Sequence, residues 1–160
     1  MFREMRRKKQ KLSTVETINV LKRGTSGVLA VHGDEGYPYS VPLSYVYNDE
    51  KIYFHSAING HKLDALKTNS KVSFCVIDKD EIVPEKFTTY FRSAIAFGKA
   101  YVVDDHKEKR EILEMLGMKY SSDFRNKMDG EINGAFERVA IIVMEIEYLT
   151  GKQAIELMNM

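Results

Sequence analysis

Cysteine occurs once, at Cys75, so no intrachain disulfide can form, and no grouping of Cys and His has the spacing of zinc ligands. A reducing compartment, the cytoplasm, is the expected setting, and no metal site is expected. No apolar run approaches the length of a membrane span, and the opening residues are charged rather than apolar, which argues against a signal peptide. A soluble, intracellular protein is therefore expected. Neither a Ser-His-Asp arrangement nor a Gly-rich nucleotide loop is present, so hydrolysis by an activated serine and dinucleotide binding through such a loop lose their usual signatures. Charge of one sign is also scarce overall, since the formal net charge is +1. That balance hides a basic arm over residues 1–12, where Arg3, Arg6, Arg7, Lys8, Lys9 and Lys11 oppose only Glu4. Such an arm can attract nucleic acid. The rest of the chain has no basic stripe to extend the footprint, so a solvated or packing arm is expected and nucleic acid is not.

What is present suffices for a core: 44% of the 160 residues are hydrophobic, enough for a single domain over 1–160 without crosslinks. Ser13 with Glu16 has the pattern of a capping box, and Val15, Ile18 and Leu21 share a helical face before Gly24. Val28 to Val31 then reads as a strand, closed by the turn formers between Gly33 and Pro38. Tyr39, Val41, Leu43, Tyr45 and Tyr47 alternate with Ser40, Pro42 and Ser44, the period of a half-buried strand. Pro42 lacks an amide donor, which marks an edge, a bulge or a place where backbone meets ligand. Asn48-Asp49-Glu50 turns the chain into a third strand over Ile52 to His55.

A short helix is expected to open near Asn59 or Gly60, followed by a strand over Lys71 to Ile77 and a polar stretch containing Pro84. Thr88 to Val103 is the longest strand-like run, with Gly98 allowing a bulge. Asp105 and Glu108 cap a further helix with Ile112, Leu113 and Leu116 on one face, ending at Gly117. Tyr120 to Ala135 reads as a polar loop, and Val139 through Tyr148 as the final strand. The chain is thus mainly β with flanking helices, and its long bent strands suit a small barrel. His32 and His106 read as surface residues, and Cys75, between Val72 and Ile77, as an inert core thiol.

The informative segment runs from Tyr53 to Asp64, where a strand ends in small polar residues and a helix begins at once. A helix N-terminus offers free amides and a positive pole, Ser56 a hydroxyl, Gly60 close backbone approach, and His61 and Lys62 positive charge. Local chemistry alone divides evenly between a phosphate niche and a capped helix with solvated basic residues.

Taken in order, Met5-Arg6-Arg7-Lys8, Gly27-Val28-Leu29-Ala30, Tyr39-Ser40-Val41-Pro42-Leu43, Phe54-His55-Ser56-Ala57 with Gly60 and Lys62, Arg92-Ser93-Ala94-Ile95, Phe97-Gly98-Lys99-Ala100, and Glu145-Ile146-Glu147 before Thr150-Gly151-Lys152 resemble the pyridoxamine 5′-phosphate oxidase-like split barrels, in their nitroimidazole-reductase branch. The resemblance implies a six-stranded antiparallel split β-barrel that binds flavin mononucleotide (FMN). It implies that the backbone of Val41, Pro42, Leu43 and Ser44 follows the isoalloxazine edge while His55, Ser56 and Lys62 surround the phosphate and ribityl chain. Arg92 and Ser93 fall where such families place contacts from a second subunit, which implies a homodimer. The implied activity is FMN-dependent transfer of electrons from a reduced nicotinamide or a similar low-potential donor to a small nitro- or quinone-like acceptor. A deazaflavin in the same niche, or a flavin or haem carrier without turnover, is the alternative. No catalytic side chain is singled out, because flavin carries the redox chemistry. Pyridoxamine phosphate oxidases proper carry an arginine-rich C-terminal segment with a tryptophan; this chain has no Trp and no Arg beyond Arg138, so vitamin B6 oxidation is not expected.

Overall fold

The computed structural model describes residues 1–160. Seven strands, β1 (Ser26–His32), β2 (Pro38–Ser44), β3 (Val46–Asn48), β4 (Lys51–Ala57), β5 (Lys71–Val83), β6 (Thr88–Val102) and β7 (Val139–Gln153), form one antiparallel sheet in the order β2-β1-β5-β6-β7-β4-β3. The sheet curls without closing, so β2 and β3 are its edges. The six expected strands became seven because Tyr45 breaks the second one. Its ring is fully buried, with the phenol donating to the Leu21 carbonyl at 2.7 Å, and its own N–H donates at 3.1 Å to the Tyr120 hydroxyl instead of to a strand.

Helix α1 (Thr14–Arg23) starts at the capping box: the Ser13 hydroxyl accepts from Glu16 N–H at 3.2 Å, and the Glu16 carboxylate accepts from Ser13 N–H at 2.9 Å. Its buried face, Thr17, Val20 and Leu21, closes over the concave side of the sheet. There Phe74 stands edge-on to both Tyr45 and Phe54, at 4.9 and 5.0 Å between ring centres. Helix α2 (His61–Thr68) adds Leu63, Ala65 and Leu66 to the same core.

Five expectations are corrected. Strand β5 does not stop at Ile77 but continues to Val83, because β6 pairs with it from Lys79↔Arg92 to Val83↔Thr88 across a bulge at Asp78. Likewise β7 runs on to Gln153. Tyr120 to Ala135 is not a loop: helix α3 (His106–Ser121) passes through Gly117 and is followed by α4 (Arg125–Ala135), which buries only Ile132 and therefore carries no apolar stripe to announce it. Gly117 marks the helix contact rather than a stop, since a Cβ there would lie 3.0 Å from the Met128 methyl. Cys75 is not in the core, because Val72, Phe74 and Val76 take the inward positions of β5 and turn it outward.

Gly98 sits at a register shift, Phe97 facing Tyr148 and Gly98 facing Ile146, so the extra residue is Glu147 of β7. A Cβ on Gly98 would run into the Glu145 carbonyl.

The convex side of the sheet is only half covered. Ile112 and Leu116 of α3 pack on Val46, Tyr53 and Ile141 of β3, β4 and β7. Across β1, β5 and β6 a row of Val28, Cys75 and Ile95 stays in register and only partly covered, with Ile77 (67% exposed) beside it and Phe97 (37%) lying against Phe2 of the arm. The basic arm is docked. Lys8–Gln10 form a 3-10 turn, Lys11 bridges to Lys152, Leu12 N–H donates to the Gly151 carbonyl at 2.8 Å, and Gln10 and Leu12 are buried. No helix is long and apolar enough to cross a membrane.

Candidate functional site

Strand β2 pairs only with β1, through Gly27↔Leu43, Val28↔Pro42, Leu29↔Val41 and Ser26↔Ser44. Antiparallel pairing uses only half of its backbone groups, so a row of amides and carbonyls along its other side has no strand partner. Pro42 stands on this edge, where a missing donor is tolerated. Val41 and Leu43 turn their side chains to the core, while Pro42 and Ser44 are exposed.

The strand-to-helix junction gathers Ser56, Gly60, His61 and Lys62, whereas His55, in register with Ile141, faces the opposite, convex side of β4. His55 is exposed, and Ser56 is buried with its hydroxyl donating to the Ala57 carbonyl at 2.9 Å. Gly60 has φ of +147°, a conformation that favours glycine, and a Cβ there would meet nothing within 4 Å, so the space in front of α2 is open. No side chain caps this helix, which leaves the amides of its first turn free and its positive pole exposed. Lys62 is half-buried and makes neither an ion pair nor a hydrogen bond. A free cation beside uncapped amides fits a phosphate.

His61 is engaged within the chain. Its Nε2 accepts from the Asp34 N–H at 3.2 Å, and its ring lies over Tyr39 at 4.3 Å. It therefore fastens the first turn of α2 to the β1–β2 turn and holds the junction in line with the β2 edge. Asp34 and Tyr39, which complete this latch, carry no sequence signal of their own.

Arg92 and Ser93 are neighbours on β6 and so face opposite sides of the sheet. Arg92 is engaged within its own chain, Nε donating to Gln153 Oε1 at 2.7 Å and Nη1 to Asp78 Oδ2 at 3.0 Å. Asp78 is gripped further by Arg23, whose Nε and Nη2 both donate at 2.6 Å. Those bonds, Arg23 first, hold the Asp78 carboxyl below its ordinary range. Ser93 lies between Ile77 and Lys152 on the convex side.

A second device fixes the end of β2. Lys119 Nζ donates to the carbonyls of Gly24 and Tyr45 and lies 4.2 Å over the Tyr45 ring, and the Tyr120 hydroxyl donates to the Thr25 carbonyl at 2.8 Å. With no carboxylate partner, burial pushes the Lys119 amine below its ordinary range. Nothing in the sequence marked these residues, because their partners are remote in the chain. His32 and His106 are exposed, burial raises the Cys75 thiol, and no group of three His, Cys, Asp or Glu side chains is placed to hold a metal.

The family model for pyridoxamine 5′-phosphate oxidase matches residues 13–153. A search of curated protein sequences found no match. Among solved structures, a candidate 5-nitroimidazole antibiotic resistance protein from Bacteroides thetaiotaomicron superposes with a TM-score of 0.73 at 22% identity, covering 89% of this chain and 86% of that one. A conserved hypothetical protein from Mycobacterium tuberculosis gives 0.80 at 16% identity, covering 94% and 90%. An FAD-binding protein from Mesorhizobium loti gives 0.61 at 24% identity, covering 91% and 97%. At these identities the likeness shows a shared split-barrel fold.

Proposed function

Because the chain belongs to the pyridoxamine 5′-phosphate oxidase family, we propose that it is a cytoplasmic oxidoreductase that holds FMN and passes electrons to a small nitro- or quinone-like acceptor. The observation that carries this reading is the open junction at Gly60 to Lys62 set beside the unpaired edge of β2. The junction suits one phosphate, and the β2 edge offers donors and acceptors for the polar rim of a flavin ring. A single niche without a second Gly-rich loop favours the mononucleotide over a dinucleotide. Held there, flavin would supply two-electron redox chemistry between a reduced donor such as a nicotinamide and the acceptor.

This chain's residues bind and orient. Lys62 and the first amides of α2 hold phosphate, Ser56 lies beside them, and Val41 to Ser44 align the ring. His61 keeps niche and edge in register, and Lys119 with Tyr120 fixes the end of β2. We place a second copy of the chain on the bare half of the convex face, where Ser93 also lies, so that Ser93 would contact the flavin held by that copy. Arg92 instead braces the strand that carries Ser93. The acceptor class follows the likeness to the nitroimidazole-resistance protein.

The test is the visible spectrum of the purified protein, with chromatography of the cofactor released by heat. Flavin bands and released FMN are expected; released FAD or a deazaflavin corrects the cofactor. A colourless protein that also fails to take up added FMN refutes the reading.

A further inference from the structure

The basic arm is not absorbed by the flavin site. Arg6, Arg7, Lys8, Lys9 and Gln10, with Ile155 of the short C-terminal helix α5 (Ile155–Met158), line a cavity of about 530 Å³. Lys8 is neutralised by Glu4 at 2.9 Å, but Arg6, Arg7, Lys9 and the adjoining Lys11 have no carboxylate partner. The arm is pinned by the Lys11 bridge and the buried Leu12, so these charges are held in place rather than dispersed on a free tail. Gln10, only 7% exposed, has a side-chain carbonyl oxygen that is buried and receives no hydrogen bond. A buried acceptor without a donor is costly, and because Gln10 borders the cavity, a turn of its amide toward the cavity would let a ligand N–H or O–H relieve that cost.

We infer that this cavity binds the phosphorylated ribose end of a nicotinamide dinucleotide, selecting the electron donor that carries an additional 2′-phosphate. The inference rests on the flavin reading for its purpose. A bare phosphate answers the cations but not the Gln10 oxygen, whereas a ribose hydroxyl or an adenine amine supplies the missing donor. Guanidinium groups suit the forked geometry of a phosphate. Four unpaired cations match the roughly four negative charges of the 2′-phosphorylated dinucleotide better than the two of its unphosphorylated form. The position agrees: Lys11 bridges Lys152, and Lys152 stands opposite Ser93, on the convex face proposed to meet the second copy's flavin.

Two measurements test it. Titration calorimetry with adenosine 2′,5′-bisphosphate is expected to show salt-sensitive binding, reduced about 10-fold or more by Arg6→Glu or Lys9→Glu and also reduced by Gln10→Leu. In turnover, the kcat/KM preference for the phosphorylated over the unphosphorylated donor is expected to fall by a similar factor in the two charge variants. The calorimetry reads this cavity even if no flavin is present, so failure of the flavin reading is distinguishable. Absent binding of the bisphosphate, a donor preference unmoved by both charge variants, or tighter capture of a DNA duplex than of the bisphosphate overturns the inference.

Discussion

Replacing Lys62 by alanine separates a ligand-binding cation from a structural one. Lys62 has no ion pair and no hydrogen bond to lose, so the cofactor-free variant is expected to unfold within about 0.5 kcal/mol of the parent, the range of surface substitutions. The cost appears only with ligand bound. A charge-assisted bond to phosphate contributes roughly 1.5 to 3 kcal/mol, and at about 1.4 kcal/mol per decade FMN affinity falls roughly 10- to 150-fold. Lys62→Arg keeps the charge and loses less. On the same helix Lys67 is exposed and reaches Asp64 at only 4.0 Å, so Lys67→Ala is the control for removing a lysine from α2. Quenching of FMN fluorescence gives the affinity, and denaturant unfolding of the cofactor-free protein gives the stability. Equal FMN affinity in Lys62→Ala and the parent refutes the phosphate niche at α2. A large loss of stability without cofactor shows that Lys62 has a structural partner instead.

Asp78→Asn leaves Arg23 and Arg92 without their shared carboxylate; allowing for a half-exposed Arg23, a loss of about 2 kcal/mol at neutral pH is expected in urea unfolding. Because Asp78 is held below its ordinary value of 3.8, its stabilisation is present above that pH and fades as pH falls through the folded value, so parent and variant converge in acid. Tyr120→Phe removes the hydroxyl that serves Tyr45 and Thr25 and is expected to cost about 1 to 2 kcal/mol, read as a lower urea midpoint with an unchanged slope. Gly98→Ala, whose new methyl meets the Glu145 carbonyl carbon at 2.9 Å and its oxygen closer still, is expected to lose more than about 2 kcal/mol or fail to accumulate folded. A Gly98→Ala protein as stable as the parent means that the bulge does not depend on glycine.

The legible parts of this fold were those whose causes are local. Ser13 and Glu16 are three residues apart and specify the start of α1 between them, and Gly98 and Pro42 each announce a backbone peculiarity at their own position. The illegible parts depend on partners far along the chain. Tyr45 leaves its strand for a hydroxyl 75 residues away, Asp78 is kept charged by an arginine 55 residues away, and His61 is held by an amide 27 residues back. Helix α4 is mostly exposed and buries only Ile132, so its sequence carries no apolar periodicity. The resemblance placed Arg92 and Ser93 together, but their alternation on β6 sends them to opposite faces, which a motif written in one dimension does not reveal.

Pro42 has a bearing on the life of the chain before any cofactor arrives. An edge strand with a free row of backbone groups is an invitation for another polypeptide to add itself and for chains to stack without end. At the centre of β2, opposite Val28, a proline removes one donor and puts a ring where an incoming strand would lie. A flat cofactor needs only a few polar contacts and can bypass the gap, while a continuous ladder cannot. On the proposed flavin reading, the same residue would admit a small molecule and turn away a neighbouring chain.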